Sequence, residues 1–300
     1  MGAGYWGTRH ADALIRHPSV GAVHIWDPDP HAGAALRAVS TKCHTSPNLE
    51  VCLDRAEAVI ISSPAASHGG IATRSLERRL PTLMEKPVGV SAVECRDLFA
   101  SARAWACFLG GAHQYEHHLG VERLREWYSE AHARGPVRFA STRIGGRRRD
   151  DVDVLLDLAV HDVAILNRVV GRACEHGRLV EGSRADDGQL VAATIEMTYG
   201  EDVVGQVRVA WDGSRERCLR LEGVRGTAVL DETPPASSGL VLIDGVDQVP
   251  LIAFRTPLEA QCDYFLRMAK ANSFSSDEEA RVLAVMTLLE SLDAPAWRAA

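Results

Sequence analysis

MGAGYWGTRH (Met1–His10) is the stretch whose reading decides the fold. Gly2, Gly4 and Gly7 keep the spacing G-x-G-x-x-G. Glycines so placed let backbone N–H groups approach a pyrophosphate at a helix N-terminus, where the helix dipole favours negative charge. Three glycines alone prove little, so the surroundings must carry the reading. A helical pattern, Thr8–Arg16, follows directly, and then a short apolar run, AVHIWD (Ala22–Asp27). That run ends in an acid 20 residues after Gly7, where a carboxylate can grip the adenosine ribose diol and disfavour a 2′-phosphate. Asp27 also suits a turn residue in WDPDP, and both readings stay open.

Working outward, short apolar runs alternate with helical stretches. TKCHT, AEAVIISS (Ala56–Ser63), PTLMEK and WACFLGGA (Trp105–Ala112) read as strands; Pro30–Val39, His68–Arg79 and Ala92–Arg103 read as helices. This alternation predicts a parallel sheet with crossover helices. The strand that should precede the glycine loop is missing, since only Met1 stands ahead of it. That strand lies mid-sheet in this fold, and losing it would strip backbone partners from both neighbours. The expectation is therefore a first strand supplied by roughly five to eight apolar residues ahead of Met1.

After residue 113 the texture changes. Leu119–Ala133 and Val152–Val170 read as helices, PVRFASTRI as a strand. QLVAATIEMTY, DVVGQVRVAW, ERCLRLEGV, GTAVLDE and GLVLID read as strands broken by Gly and Asp. They predict an open, largely antiparallel sheet, with a loop at 233–239 and two closing helices, Pro257–Ala271 and Ser276–Leu292. The expected fold class is α/β: a Rossmann dinucleotide-binding domain over 1–113, its first strand truncated, and an α+β substrate and oligomerisation domain over 114–300. The last helices are expected to pack back towards the first domain.

Composition narrows the function. A net charge of −7 and 46% apolar residues describe an ordinary globular chain and argue against a nucleic-acid or acidic-membrane binder. The basic run Arg147–Arg149 is answered at once by Asp150 and Asp151. Seven scattered cysteines show neither C-x-x-C nor zinc spacing, so no metal site is expected and reduced thiols fit a cytoplasmic protein. No run approaches the ~18 apolar residues of a membrane span, and no signal peptide is expected. Almost every cation is arginine; lysine stands only at Lys42, Lys86 and Lys270. A lysine kept against that bias suits a task that needs a compact, titratable ammonium.

Two strand ends carry candidate chemistry. SSPAASH (Ser62–His68) follows the strongest strand, and Pro64 turns the chain over the sheet's carboxyl edge. MEKPVGVS (Met84–Ser91) ends the next strand, and Pro87 keeps Lys86 out of any helix, which aims it at the same crevice. In VDVLLDLAVHDVAILNRVVG, Asp153, Asp157 and His161 recur every four residues, a polar stripe on an otherwise apolar helix. Asp153 can answer the helix dipole. Asp157 and His161 lie deeper, where each can partner the other, and a carboxylate-backed imidazole suits a general base on an alcohol. His113, Tyr115, His117 and His118 form a further polar cluster.

In this order, GAGYWG, Asp27, SSPAASH, EKP and the Asp157…His161-Asp162 helix resemble the glucose-fructose oxidoreductase/inositol dehydrogenase/rhizopine-catabolism (Gfo/Idh/MocA) family. The resemblance covers nearly the whole chain and is strongest to the nucleotide-sugar 3-dehydrogenase branch, which VAWDGSRERCLRLEGVRGTAVLDE and PLEAQCDYFL also match. It implies an NAD-dependent oxidoreductase, with NADP possible, that moves a hydride between nicotinamide and a secondary ring hydroxyl or ketone of a sugar, here a nucleotide-linked hexose at C3. An NADPH-dependent keto-sugar reductase and a catalytically silent partner subunit are the alternatives. The resemblance implies Lys86, His161 and Asp157 as catalytic residues. It implies Gly2, Gly4, Tyr5, Trp6, Gly7, Asp27, Ser63, Pro64, His68, Glu85 and Lys86 around the cofactor, and His113, Tyr115, His117, Arg143 and Asp162 around the substrate. It also implies a homodimer or homotetramer built through the C-terminal sheet. Many relatives carry glycines around the D-x-x-x-H helix; this chain has Leu158, Ala159 and Val160.

Overall fold

The computed structural model describes residues 1–224, 226–233, 240–244, 247–250 and 255–292; of the expected 233–239 loop, only Thr233 lies within that set. The chain forms two compact units, Met1–Ala112 with Leu258–Leu283, and His113–Pro257 with the chain from Ala284.

In the first unit the elements run α1 (Tyr5–Arg16), β1 (Val23–Trp26), α2 (Ala34–Val39), β2 (Cys43–Ser46), α3 (Leu49–Asp54), β3 (Val59–Ile61), α4 (His68–Glu77), β4 (Thr82–Met84), α5 (Ala92–Ala104) and β5 (Leu109–Gly111). Helix α3 has no counterpart in the sequence reading. Its signal is Asn48, whose side-chain oxygen accepts from the N–H groups of Glu50 and Val51, a short cap easily lost beside the strong strand that follows.

All strand pairs here are parallel, as the alternation predicts, but they fall into two sheets, β1-β2 and β3-β4-β5. Residues 1–3 bridge them at one end only. The Met1 amine donates to Ile60 O at 2.7 Å; Ser62 N donates to Met1 O at 2.8 Å, and Gly2 N donates to Trp26 O at 2.8 Å. These three residues thus hold the last rung of a central parallel strand. Beyond them a cavity of about 420 Å³ opens between the sheets, lined by Val23, Ile25, Val59, Ile60, Ala11 and Phe265 among others. Small apolar clusters flank it, Ala11, Val23, Ile25 and Cys43 on one side, Leu83, Phe108, Ala112 and Phe265 on the other.

In the second unit, α6 (Leu119–His132), β6 (Val137–Ile144) and α7 (Val160–Val170) precede a run of strands, β7 (His176–Arg184), β8 (Leu190–Tyr199), β9 (Val203–Ala210), β10 (Glu216–Gly223), β11 (Gly226–Asp231), β12 (Leu240–Ile243) and β13 (Asp247–Pro250). The eight strands are ordered β13-β12-β11-β10-β6-β9-β8-β7. All neighbours are antiparallel except β6 and β9. The sequence reading lacks β7, whose mixed HGRLVEGSR carries no clean alternation and lies mostly exposed. It also lacks β13.

Alternation does locate the buried face of the middle strands. Ile195, Met197, Val207 and Val209 are fully buried, as are Val163 and Leu166 of α7. The expected helix over 152–170 departs from regularity, because Leu155–Ala159 forms a π-helical turn ahead of α7. Helices α8 (Pro257–Ala271) and α9 (Ser276–Leu292) close the chain. No helix among the described residues is long and apolar enough to cross a membrane.

Candidate active site

Helix α1 opens at Gly4, whose position provides no side-chain cap, so its first N–H groups are left to an external acceptor. The three glycines have different reasons. A Cβ on Gly7 would stand 2.0 Å from Gly2 O, and one on Gly2 would stand 2.7 Å from Ser63 N. Gly2 also sits at φ +91°. Those two allow strand, loop and helix to close up. A Cβ on Gly4 would meet nothing within 4 Å, so the loop leaves open space over the helix N-terminus, as a bound pyrophosphate requires. Asp27 lies beside it and accepts from Ala3 N at 2.7 Å and from Asp29 N at 2.9 Å. Its turn role is therefore present together with a position against the glycine loop. Tyr5 is exposed, with the Arg9 guanidinium 4.2 Å from its ring centroid and Trp6 edge-on to it.

The loops after β3 and β4 are tied to each other. The His68 ring meets Ser63 O at 2.8 Å through Nε2 and Pro87 O at 2.9 Å through Nδ1, while Ser67 Oγ donates to Ser63 Oγ. Pro64 begins a short 3-10 turn, Ala65–Ser67. Lys86 and Glu85 are both buried, and the Lys86–Pro87 peptide is cis. Every residue expected around the cofactor belongs to the first unit: Gly2 to Gly7 in the glycine loop and the start of α1, Asp27 after β1, Ser63, Pro64 and His68 after β3, and Glu85 and Lys86 after β4. The group fits the residues present.

The second unit assembles another cluster. Tyr115 stands on a 3-10 turn, Gln114–His117, edge-on to the His161 ring at 5.1 Å between centroids. The Arg143 guanidinium lies 4.8 Å from the Tyr115 centroid. Asp162 accepts from Arg143 Nε and from Ser141 Oγ, each at 2.7 Å. Burial opposes the Arg143 charge, yet the Asp162 carboxylate more than offsets it and holds the guanidinium above its ordinary value. Asp157 accepts from Trp211 Nε1 at 2.9 Å, with Arg149 Nη1 at 3.7 Å. Asp153 caps the helical segment, accepting from Leu155 N and Leu156 N. His118 caps α6, its Nδ1 accepting from Gly120 N at 2.9 Å, which leaves it a structural part. His113 is buried beside the turn.

Sequence reasoning missed several participants. Ser141 and Trp211 look like ordinary strand residues until the cross-strand register is known. Arg217 is the Cα partner of Arg143 on the neighbouring strand. It donates to the carbonyls of Gly145 and Glu216 at 2.8 Å, and burial together with Arg143 pushes it down to about 10. His10 was read only as part of a helix.

Comparison with known proteins agrees with the fold. Residues 1–112 match the model of the oxidoreductase family with NAD-binding Rossmann fold (Gfo/Idh/MocA). The UDP-N-acetylglucosamine 3-dehydrogenase of Acidithiobacillus ferrooxidans is 24% identical over 213 residues, 69% of this chain and 64% of that protein. The matched region thus spans a little under two thirds of that relative. A 3-ketoreductase from Actinomadura kijaniata, solved with TDP-benzene and NADP, superposes with a TM-score of 0.83 at 19% identity, covering 94% of this chain and 92% of the other. GenD2 from gentamicin A biosynthesis, solved with NAD, gives 0.81 at 18% identity over 99% and 93%. Residues 1–112 are thus similar to the Gfo/Idh/MocA oxidoreductases, with their NAD-binding Rossmann fold.

Proposed function

We propose that the protein is an NAD-linked oxidoreductase that interconverts a secondary hydroxyl and a ketone at C3 of a nucleotide-linked hexose. The observation that carries this reading lies within the first unit. An uncapped helix start with open space over Gly4, the Asp27 carboxylate directly after β1 and the buried Lys86 directly after β4 all belong to that unit. Doubly wound sheets hold dinucleotides at the carboxyl ends of their strands. Asp27 favours NAD, because a 2′-phosphate would meet its charge. The 3-dehydrogenase and 3-ketoreductase relatives point to the sugar position.

The nicotinamide, when bound, supplies the hydride acceptor or donor. Lys86 contributes positive charge where alkoxide character develops on the reacting oxygen. His161 takes the hydroxyl proton in the oxidative direction and returns it in the reductive one. Asp157, held by Trp211 Nε1, is assigned as the carboxylate on the same helical segment as that imidazole, four residues before it. His113, Tyr115 and His117 are donors for sugar hydroxyls. The arginines facing each other on β6 and β10 support an anionic substrate: Asp162 answers Arg143, and Arg217 adds a further positive charge. Like charges directly opposite on a sheet are unfavourable unless something answers them, and a diphosphate would. The enzyme is assigned to the cytoplasm as a homodimer or homotetramer associating through the sheet of the second unit.

The test is a fluorescence titration with NADH, followed by a panel of nucleotide sugars with NAD, watching absorbance of the reduced nicotinamide. Binding plus turnover of a nucleotide hexose is expected. Turnover of free sugars alone would overturn the substrate class. Failure to bind NADH or NADPH would favour a non-catalytic partner subunit.

A further inference from the structure

A buried chain of polar groups in the first unit takes no part in the chemistry above. His10 on α1 is 2% exposed and Glu85, directly after β4, is 7% exposed. His10 Nε2 lies 2.7 Å from Glu85 Oε1. The other face of the ring, Nδ1, meets Cys262 Sγ of α8 at 3.8 Å. Burial pushes that thiol up to about 12, so it stays protonated. The second carboxylate oxygen, Oε2, accepts from the backbone N–H of Lys86 at 3.1 Å, and Glu85 N donates to Ile61 O at 2.7 Å. Burial alone would raise the Glu85 carboxyl. The His10 hydrogen bond and the charges of His10 and Lys86 outweigh it and hold the group below its ordinary value.

Burying a carboxylate at a strand end is costly unless every oxygen is engaged. Here one oxygen is engaged by the helix that starts at the glycine loop, the other by the amide of the lysine assigned to the reaction. The helix that would carry the pyrophosphate and the turn that carries Lys86 thus share a single carboxylate.

We propose that His10 is a positioning residue for Lys86: through Glu85 it ties the glycine-loop helix α1 to the turn from which that lysine projects, so that cofactor seating and lysine placement are set together. This rests on the functional reading above only for the role given to Lys86. His10 acts by holding Glu85, and the expected cost of losing such a support is about tenfold to a hundredfold in turnover.

The test uses His10→Leu, His10→Gln and Glu85→Gln in the full chain. His10→Gln keeps a donor for Glu85; His10→Leu keeps the bulk and loses it. The readout is NMR of the three lysines after selective 13Cε labelling, which needs no activity, together with kcat and KM. In His10→Leu the Lys86 signal is expected to move. Glu85→Gln should shift it the same way, and His10→Gln should return it towards wild type. In an active enzyme kcat should fall about tenfold or more in His10→Leu, with the KM for the sugar little changed. A Lys86 signal unmoved in a folded His10→Leu overturns the proposal, as does movement in Glu85→Gln alone. Wild-type protein lacking NAD-linked turnover ends the functional reading instead, and leaves the lysine comparison standing.

Discussion

Asp27 does two things with one carboxylate. It accepts from Ala3 N and so braces the glycine loop, and on the proposed reading it also answers the ribose of a dinucleotide. Asp27→Ala is therefore expected to weaken NADH binding while improving NADPH use relative to NADH by about tenfold or more, since one charge repulsion near a phosphate is worth roughly 1–2 kcal/mol. Paired titrations with both cofactors measure the ratio; an unchanged ratio counts against the ribose role. For the reaction itself, Lys86→Ala and His161→Ala should each lower turnover by about 10²–10⁴ while NADH still binds. Wild-type rates in both variants would overturn the assignment. Much of this was legible in the chain, because glycine spacing, an acid at a strand end and a lysine before proline are local signals. Ser141, Trp211 and Arg217 were not, because their meaning comes from strand register: Arg217 matters only as the partner of Arg143 across β6 and β10. His10 was invisible for the same reason, its partner lying 75 residues away.

Among elements, the central slot of the first unit has the clearest energetics. The sequence reading expected a strand before the glycine loop, and Met1–Ala3 occupy only its final rung. Burial pushes the Met1 amine down to about 6, with Cys52 and Asp27 opposing. Five apolar residues joined ahead of Met1 would place side chains in the cavity between β1 and β3. A higher Tm is expected from the added apolar burial. A Gly-Ser extension of equal length should not raise it. Equal Tm for the two extensions would show that the cavity takes no strand. The π-helical turn at Leu155–Ala159 illustrates the opposite case. Nothing in LLDLA breaks a helix, and the wider turn depends on packing around Asp157 and Trp211 rather than on local propensity.

At the scale of the whole molecule, charge gives a prediction whose sign separates two pictures. The chain carries a net −7, and a nucleotide sugar carries about −2. Bare attraction to Arg143 and Arg217 would make association weaken as salt rises, the behaviour of a basic groove. But Asp162 cancels one of those charges at contact distance, and contact-range interactions are the least screened. What salt changes most is the long-range repulsion. At about 25 Å, charges of −7 and −2 repel by roughly 2 kcal/mol in water before screening. Screening at a Debye length of about 30 Å leaves about 1 kcal/mol of that, and at about 8 Å nearly none. The apparent kcat/KM for the nucleotide sugar should therefore increase about fourfold to fivefold between ~10 mM and ~150 mM salt. Stopped-flow or steady-state rates across that range decide the point, and a steady decrease would mean that local arginine charge, not the net field, governs capture of the substrate.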